Sequence, residues 1–136
     1  MKIVEIKALT GPNVFSDHPV LKCKVDLGDL ADVSSRQING FTEHLLALLP
    51  GLHEHQCALG EKGGFVKRLY EGTYLAHIFE HITLELQNEC GDDVSYGKAR
   101  VSDQAHVYDV IIAFFHESVA RRCAMIAEEL LNAVIA

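Results

Sequence analysis

Basic residues are scarce in this 136-residue chain: 12 Lys and Arg stand against 19 Asp and Glu, a formal charge of −7 with neutral histidines. No basic stripe stands out along the sequence to displace counterions from phosphates. That excludes nucleic acid as a default partner and suits a cationic substrate instead. Paired cysteines are missing too. Cys23, Cys57, Cys90 and Cys123 are scattered without a C-x-x-C, and the opening Met-Lys-Ile-Val-Glu-Ile alternates like a strand rather than a secretory signal. The expectation is reduced thiols in a cytoplasmic protein, not a disulfide framework. No apolar run approaches the length that crosses a bilayer, which excludes a membrane partner. Gly60, Gly63 and Gly64 lack the Lys-Ser/Thr ending of a phosphate-binding loop, so nucleotide binding is rejected. Internal repeats, low-complexity tracts and linkers are absent as well.

The 49% apolar content supports a single core in one domain spanning residues 1–136. Residues 2–9 alternate apolar and polar and end in Gly11-Pro12-Asn13, which predicts a first strand. A second is expected at about 20–27, where Leu21, Cys23, Val25 and Leu27 share a face opposite Lys22, Lys24 and Asp26. Ser34-Ser35 offers an N-cap for an amphipathic helix that runs through Ile38, Phe41, Leu45, Leu46, Leu48 and Leu49 to Pro50. Residues 51–64 read as an ordered loop. Gly72-Thr73 supplies the cap of a second helix, about 74–90, stopped by Gly91. Two further strands are expected at 94–101 and 106–115 around a turn at Ser102-Asp103, and a last helix at about 117–134. Strands in hairpin-like pairs and helices in runs predict an α+β fold of two layers, an antiparallel sheet of about four strands covered by helices on one face.

The second helix carries the residues richest in chemistry. Within it His77-Ile78-Phe79-Glu80-His81 forms an H-x-x-E-H run. Imidazoles at i and i+4 project from one helix face and can share one ion, and the donor type points to zinc. Glu80 sits beside the ion rather than on it, as suits a general base taking a proton from water. At about 100° per residue Leu75, Ile78, Phe79, Ile82 and Leu86 fall on one side, and His77, Glu80, His81, Glu85 and Asn88 on the other. The polar side is thus expected to be free of the core. A zinc site needs a third protein ligand, and Glu117 at the start of the last helix is the first choice, its bland role being charge–dipole stabilisation. Glu85 lies about 12 Å along the helix from His77, too far to share the ion, and reads as a group orienting His81. His55 and Cys57 are open to two readings, ligand or cleft lining, with a buried apolar role preferred for Cys57. His44, His53, His106 and His116 read as surface histidines, His116 with a possible touch on the site.

The surrounding residues resemble the N-terminal domain of cyanophycin synthetase. Matching positions run from Gly11-Pro12-Asn13 through Asp26-Leu27, Gly40-Phe41, Leu49-Pro50, Glu54-His55 with Cys57, Gly63-Gly64-Phe65 and Arg68. They are densest at Glu71-Gly72-Thr73-Tyr74, His77, Glu80-His81 and Leu84-Glu85-Leu86-Gln87, followed by Gly97, Arg100, Tyr108 and Val110. One departure is Ala113-Phe114, where the family typically shows a Glu-Tyr pair. The resemblance implies a pitrilysin-like fold and a metallopeptidase-like hydrolase that cuts cyanophycin, an arginine-bearing polyaspartate, at internal backbone bonds and releases primers for synthesis. The rival expectation is a non-catalytic module that grips cyanophycin or docks on the synthetase. The apolar content also leads to the expectation of a small homo-oligomer.

Overall fold

The computed structural model describes residues 1–57 and 60–136; the part of the expected 51–64 loop at Ala58 and Leu59 lies outside the described residues. Four strands form one antiparallel sheet in the order β1-β2-β4-β3, with β1 at Lys2–Leu9, β2 at Val20–Asp26, β3 at Gly97–Val101 and β4 at Val107–Ala113. Four helices accompany it: α1 Phe41–Leu48, α2 Gly64–Glu71, α3 Leu75–Glu89 and α4 Glu117–Ile135. The fold is a two-layer α+β arrangement, as the pattern of elements predicts.

Alternation along the central strands makes the layers. Leu21 pairs with Ile112, Cys23 with Val110 and Val25 with Tyr108, and these residues form the core with Ile78, Phe79 and Ile82 of α3 and Ala120, Ala124 and Leu131 of α4. α4 uses small residues where it crosses α3, so the two helices lie side by side on the sheet.

The opposite face of the sheet carries no helix. There Lys22 pairs with Ile111 and Lys24 with Asp109, while Lys98 and Arg100 of β3 flank the same β4 residues. Lys2 and Lys7 extend the row onto β1 across a bulge between Ile3 and Glu5. Six of the chain's 12 cations therefore share one face of an acidic protein. Reading along the chain misses this basic surface, because three separate strands contribute to it and every second residue belongs to the other side.

Several element boundaries differ from the periodicity. The first helix is split: a short 3-10 turn at Ser35–Gln37, closed by reciprocal bonds between Ser34 and Gln37, precedes α1, which begins only after Gly40. The stretch expected to be loop contains a 3-10 turn at Pro50–Glu54, and α2 starts at Gly64 and follows it to Glu71. The strand expected from residue 94 begins at Gly97.

Candidate metal centre

α3 positions the site, and it is far more buried than its amphipathic pattern suggests. Its apolar side packs on the sheet, but Glu80, His81, Glu85 and Gln87 on the other side are buried as well. The expectation of a polar side free of the core is thus corrected: that side packs against the Pro50–Glu54 turn and the start of β3 and lines a half-open cavity of about 810 Å³. His55, Cys57, His77, Glu80, His81, Glu85, Asp93 and Tyr96 are among its walls, and among the described residues no Lys or Arg lines it.

Within the cavity His77, Glu80 and His81 each bring one donor atom within 4.8 Å of the others. Nδ1 of His77 is 2.9 Å from the hydroxyl of Thr73, leaving Nε2 of that ring free. Thr73, expected to cap α3, is instead spent on His77, and Tyr74 occupies the N-cap position without a side-chain bond. Nε2 of His81 lies 3.7 Å from Oε2 of Glu80. Nδ1 of His81 lies 3.0 Å from Nδ1 of His55, whose Nε2 is 2.8 Å from Oε1 of Glu85. Phe65 stacks on the His81 ring, centroids 3.9 Å apart and planes 15° from parallel, and meets His77 edge-on.

Burial and neighbouring charge tune these groups. Burial first, then the Arg68 charge, lowers His77 to about 4. Burial first, then His77, His55 and Arg68, lowers His81 to about 2. Both imidazoles are therefore neutral at neutral pH, the form that offers a lone pair to a cation. Burial raises Glu80 to about 8, an acid poised for proton exchange near neutrality.

Two glycines keep room for the two glutamates. A Cβ on Gly97 would fall 2.7 Å from both Cγ and Oε2 of Glu80, and one on Gly51 would overlap Oε2 of Glu85. The glycine that opens β3 is thus explained by α3: the strand runs against Glu80, and a side chain there would displace the carboxylate.

Residues 22–136 match the Cyanophycin synthase-like N-terminal domain. The cyanophycin synthetase of Geminocystis herdmanii is 39% identical over 137 aligned positions, covering 99% of this chain and 16% of the relative. Those of Crocosphaera subtropica and Trichormus variabilis are each 37% identical over 99% of the chain. This chain belongs to the cyanophycin synthase-like N-terminal domain family. It spans about one-sixth of the length of these relatives.

Against this family background, the structure brings His77, Glu80 and His81 together and does not bring Glu117 to them. Glu117 is exposed on the first turn of α4, where its Oε2 accepts a 2.8 Å bond from Nε of Arg121 one turn on. Its carboxylate is satisfied within its own helix, and it is not a cavity wall, so the choice of Glu117 as third ligand is corrected. Cys57 is half-buried on the cavity wall rather than a core residue. His55 is the residue sequence reasoning undervalued: it links Glu85 to His81, so Glu85 orients that imidazole through an intermediary. His44, His53, His106 and His116 are exposed, and His116 bonds Asp92 instead of touching the cavity. Ala113 shares the helix-free sheet face with Ile111, so a side chain at this departure from the family pattern points away from α3. All four cysteines are free. Among the described residues no helix is long and apolar enough to cross a membrane.

Proposed function

We propose that this chain is a zinc-dependent hydrolase that cuts the backbone of cyanophycin at internal bonds, releasing shorter chains able to prime polymer synthesis. The observation that carries the reading is the constellation of two neutral imidazoles and one carboxyl, largely withdrawn from water, in a cavity that no Lys or Arg among the described residues lines. Two bare imidazole nitrogens beside a carboxylate fit a divalent ion of the zinc type. His77 and His81 would hold it. When bound, zinc supplies Lewis-acid polarisation of a carbonyl and lowers the pKa of water.

The remaining chemistry belongs to the chain. Glu80 takes the proton of the attacking water on its carboxylate and returns it to the departing amine nitrogen. A neighbouring cation favours the charged form of Glu80, offsetting the burial that raises it. Gly97 leaves the Glu80 carboxylate its place. The exposed acids on the walls, Asp93 and Glu54, the latter 3.2 Å from Lys62, suit a substrate that bears guanidinium groups. The relatives' name, cyanophycin synthetase, supports the polymer as the substrate class.

The decisive variant is Glu80→Gln. Incubation of purified cyanophycin with zinc-loaded protein is expected to shorten the polymer, and Glu80→Gln is expected to abolish shortening while the polymer still co-sediments with the protein. Polymer that binds and stays at full length with both proteins would favour a gripping or docking module instead.

A further inference from the structure

We infer that Glu85, acting through His55, fixes the proton of His81 on Nδ1 and so turns the bare Nε2 of that ring toward the cavity. The consequence for metal binding rests on the reading of His81 as a ligand; the hydrogen-bond direction does not.

The argument is one of donors and acceptors. A carboxylate only accepts, so at the 2.8 Å contact with Glu85 the proton sits on Nε2 of His55. A neutral imidazole carries one N–H, which leaves Nδ1 of His55 bare. At the 3.0 Å contact between the two rings, Nδ1 of His81 must then donate. That removes the proton from Nε2 of His81, the nitrogen that lies beside Glu80. Without Glu85, His55 is free to carry its proton on Nδ1. His81 would then accept at Nδ1 and hold its proton on Nε2, a tautomer that cannot give a lone pair to an ion. A carboxylate that never touches His81 thereby selects between its ligand and non-ligand forms. At His77 no such selection operates, because the Thr73 hydroxyl both donates and accepts.

The line is held for this purpose. The side chains of His55 and Glu85 are only 10% and 9% exposed, and among the described residues Glu85 has no ion-pair partner but His55. Phe65 packs on the rings of both His81 and His55. Gly51 in the Pro50–Glu54 turn lets the backbone close on the Glu85 carboxylate. A methyl there would meet the tip of a flexible side chain, so Gly51→Ala is expected to push Glu85 off His55 while leaving the fold intact. Glu85 and His55 are positioning residues and Gly51 is their spacer.

The test is a long-range proton–nitrogen correlation spectrum of the metal-free full chain with nitrogen-15-labelled histidine. The expected result is an Nδ1–H tautomer for His81 and an Nε2–H tautomer for His55. In Glu85→Leu and in Gly51→Ala, His81 is expected to move to a mixture or to the Nε2–H form with the amide spectrum still dispersed. Zinc affinity, read by competition with a chromophoric chelator, is expected to fall about 10–100-fold in both variants. Should Glu85→Leu fail to fold, Gly51→Ala carries the test alone. An Nε2–H signal for His81 in the wild-type protein, or tautomers unmoved in Gly51→Ala, would overturn the inference. The expected tautomers in a wild-type chain that takes up no zinc would sustain it and defeat the metal-site reading instead.

Discussion

The two polar faces of this molecule are built from different residues and differ in how far water reaches them. Beneath α3, polar groups are withdrawn from water, bonded to one another and shifted in pKa, in a cavity walled by acids that no Lys or Arg among the described residues lines. On the helix-free side of the sheet, six cations are interleaved with Glu5, Asp26 and Asp109, and Lys7 and Lys24 pair with Glu5 and Asp109. A net charge of −7 conceals this segregation. The lesson is that burial, not the count of charged groups, separates a reactive surface from a solvated one. Exposed ion pairs contribute little to stability, whereas a buried group with a displaced pKa alters both stability and chemistry.

The comparison breaks if the two faces respond alike to substitution. The largest expected effect is Glu80→Gln, which should lower the rate of polymer shortening by about 10²–10⁴-fold. The double charge reversal Lys22→Glu with Lys98→Glu should leave that rate essentially unchanged in the same chain-length assay. Gly97→Ala should rank next, with a loss on the order of 10²-fold as the Glu80 carboxylate is pushed from its position. Circular dichroism should report an unaltered fold in that variant. Smaller still is the effect of Glu54→Gln with Asp93→Asn, expected to raise KM for the arginine-bearing polymer a few-fold with kcat retained. That difference should fade as salt is added, because these acids act at a distance through solvent.

The smallest effect sharpens the contrast through stability. In the metal-free protein His77 and His81 have folded pKa values of about 4 and about 2, below the 6.5 of an unfolded histidine. The unfolded chain therefore takes up protons first, and stability present above pH 6.5 is lost as pH falls toward 4. Glu80 acts in the opposite sense, its folded value of about 8 exceeding 4.5, so stability is lost as pH rises from 4.5 to 8. Below pH 6.5 two imidazoles outweigh one carboxyl. Urea midpoints of the metal-free protein should fall on acidification, and fall less steeply in His77→Gln. Charge reversals on the open sheet face should leave the slope unaltered.

Much of this was legible in the sequence, for identifiable reasons. The four strands and the long helices announce themselves through periods of two and 3.6, and H-x-x-E-H declares its geometry because a helix fixes the offset between its own residues. What was not legible depends on elements far apart in the chain. The polar side of α3 looked solvated, and only the fold shows the Pro50–Glu54 turn and β3 packing against it. Glu117 looked suitable from its place after a strand, yet Arg121 one turn away already occupies its carboxylate. His55 was ambiguous as one of eight histidines until the fold put it between Glu85 and His81. Helix α2 was hidden by the glycines before it, which read as loop. Nothing in the periodicity marks the roles of Gly51 and Gly97, since the glutamates they make room for come from another element.

The claim on which the rest depends is that His77 and His81 clasp a cation, and zinc content per chain tests it most directly. Elemental analysis after zinc loading and exhaustive dialysis is expected to give one equivalent for the wild-type protein and only traces for His77→Ala. Trace zinc in both, or one equivalent in both, would contradict the account.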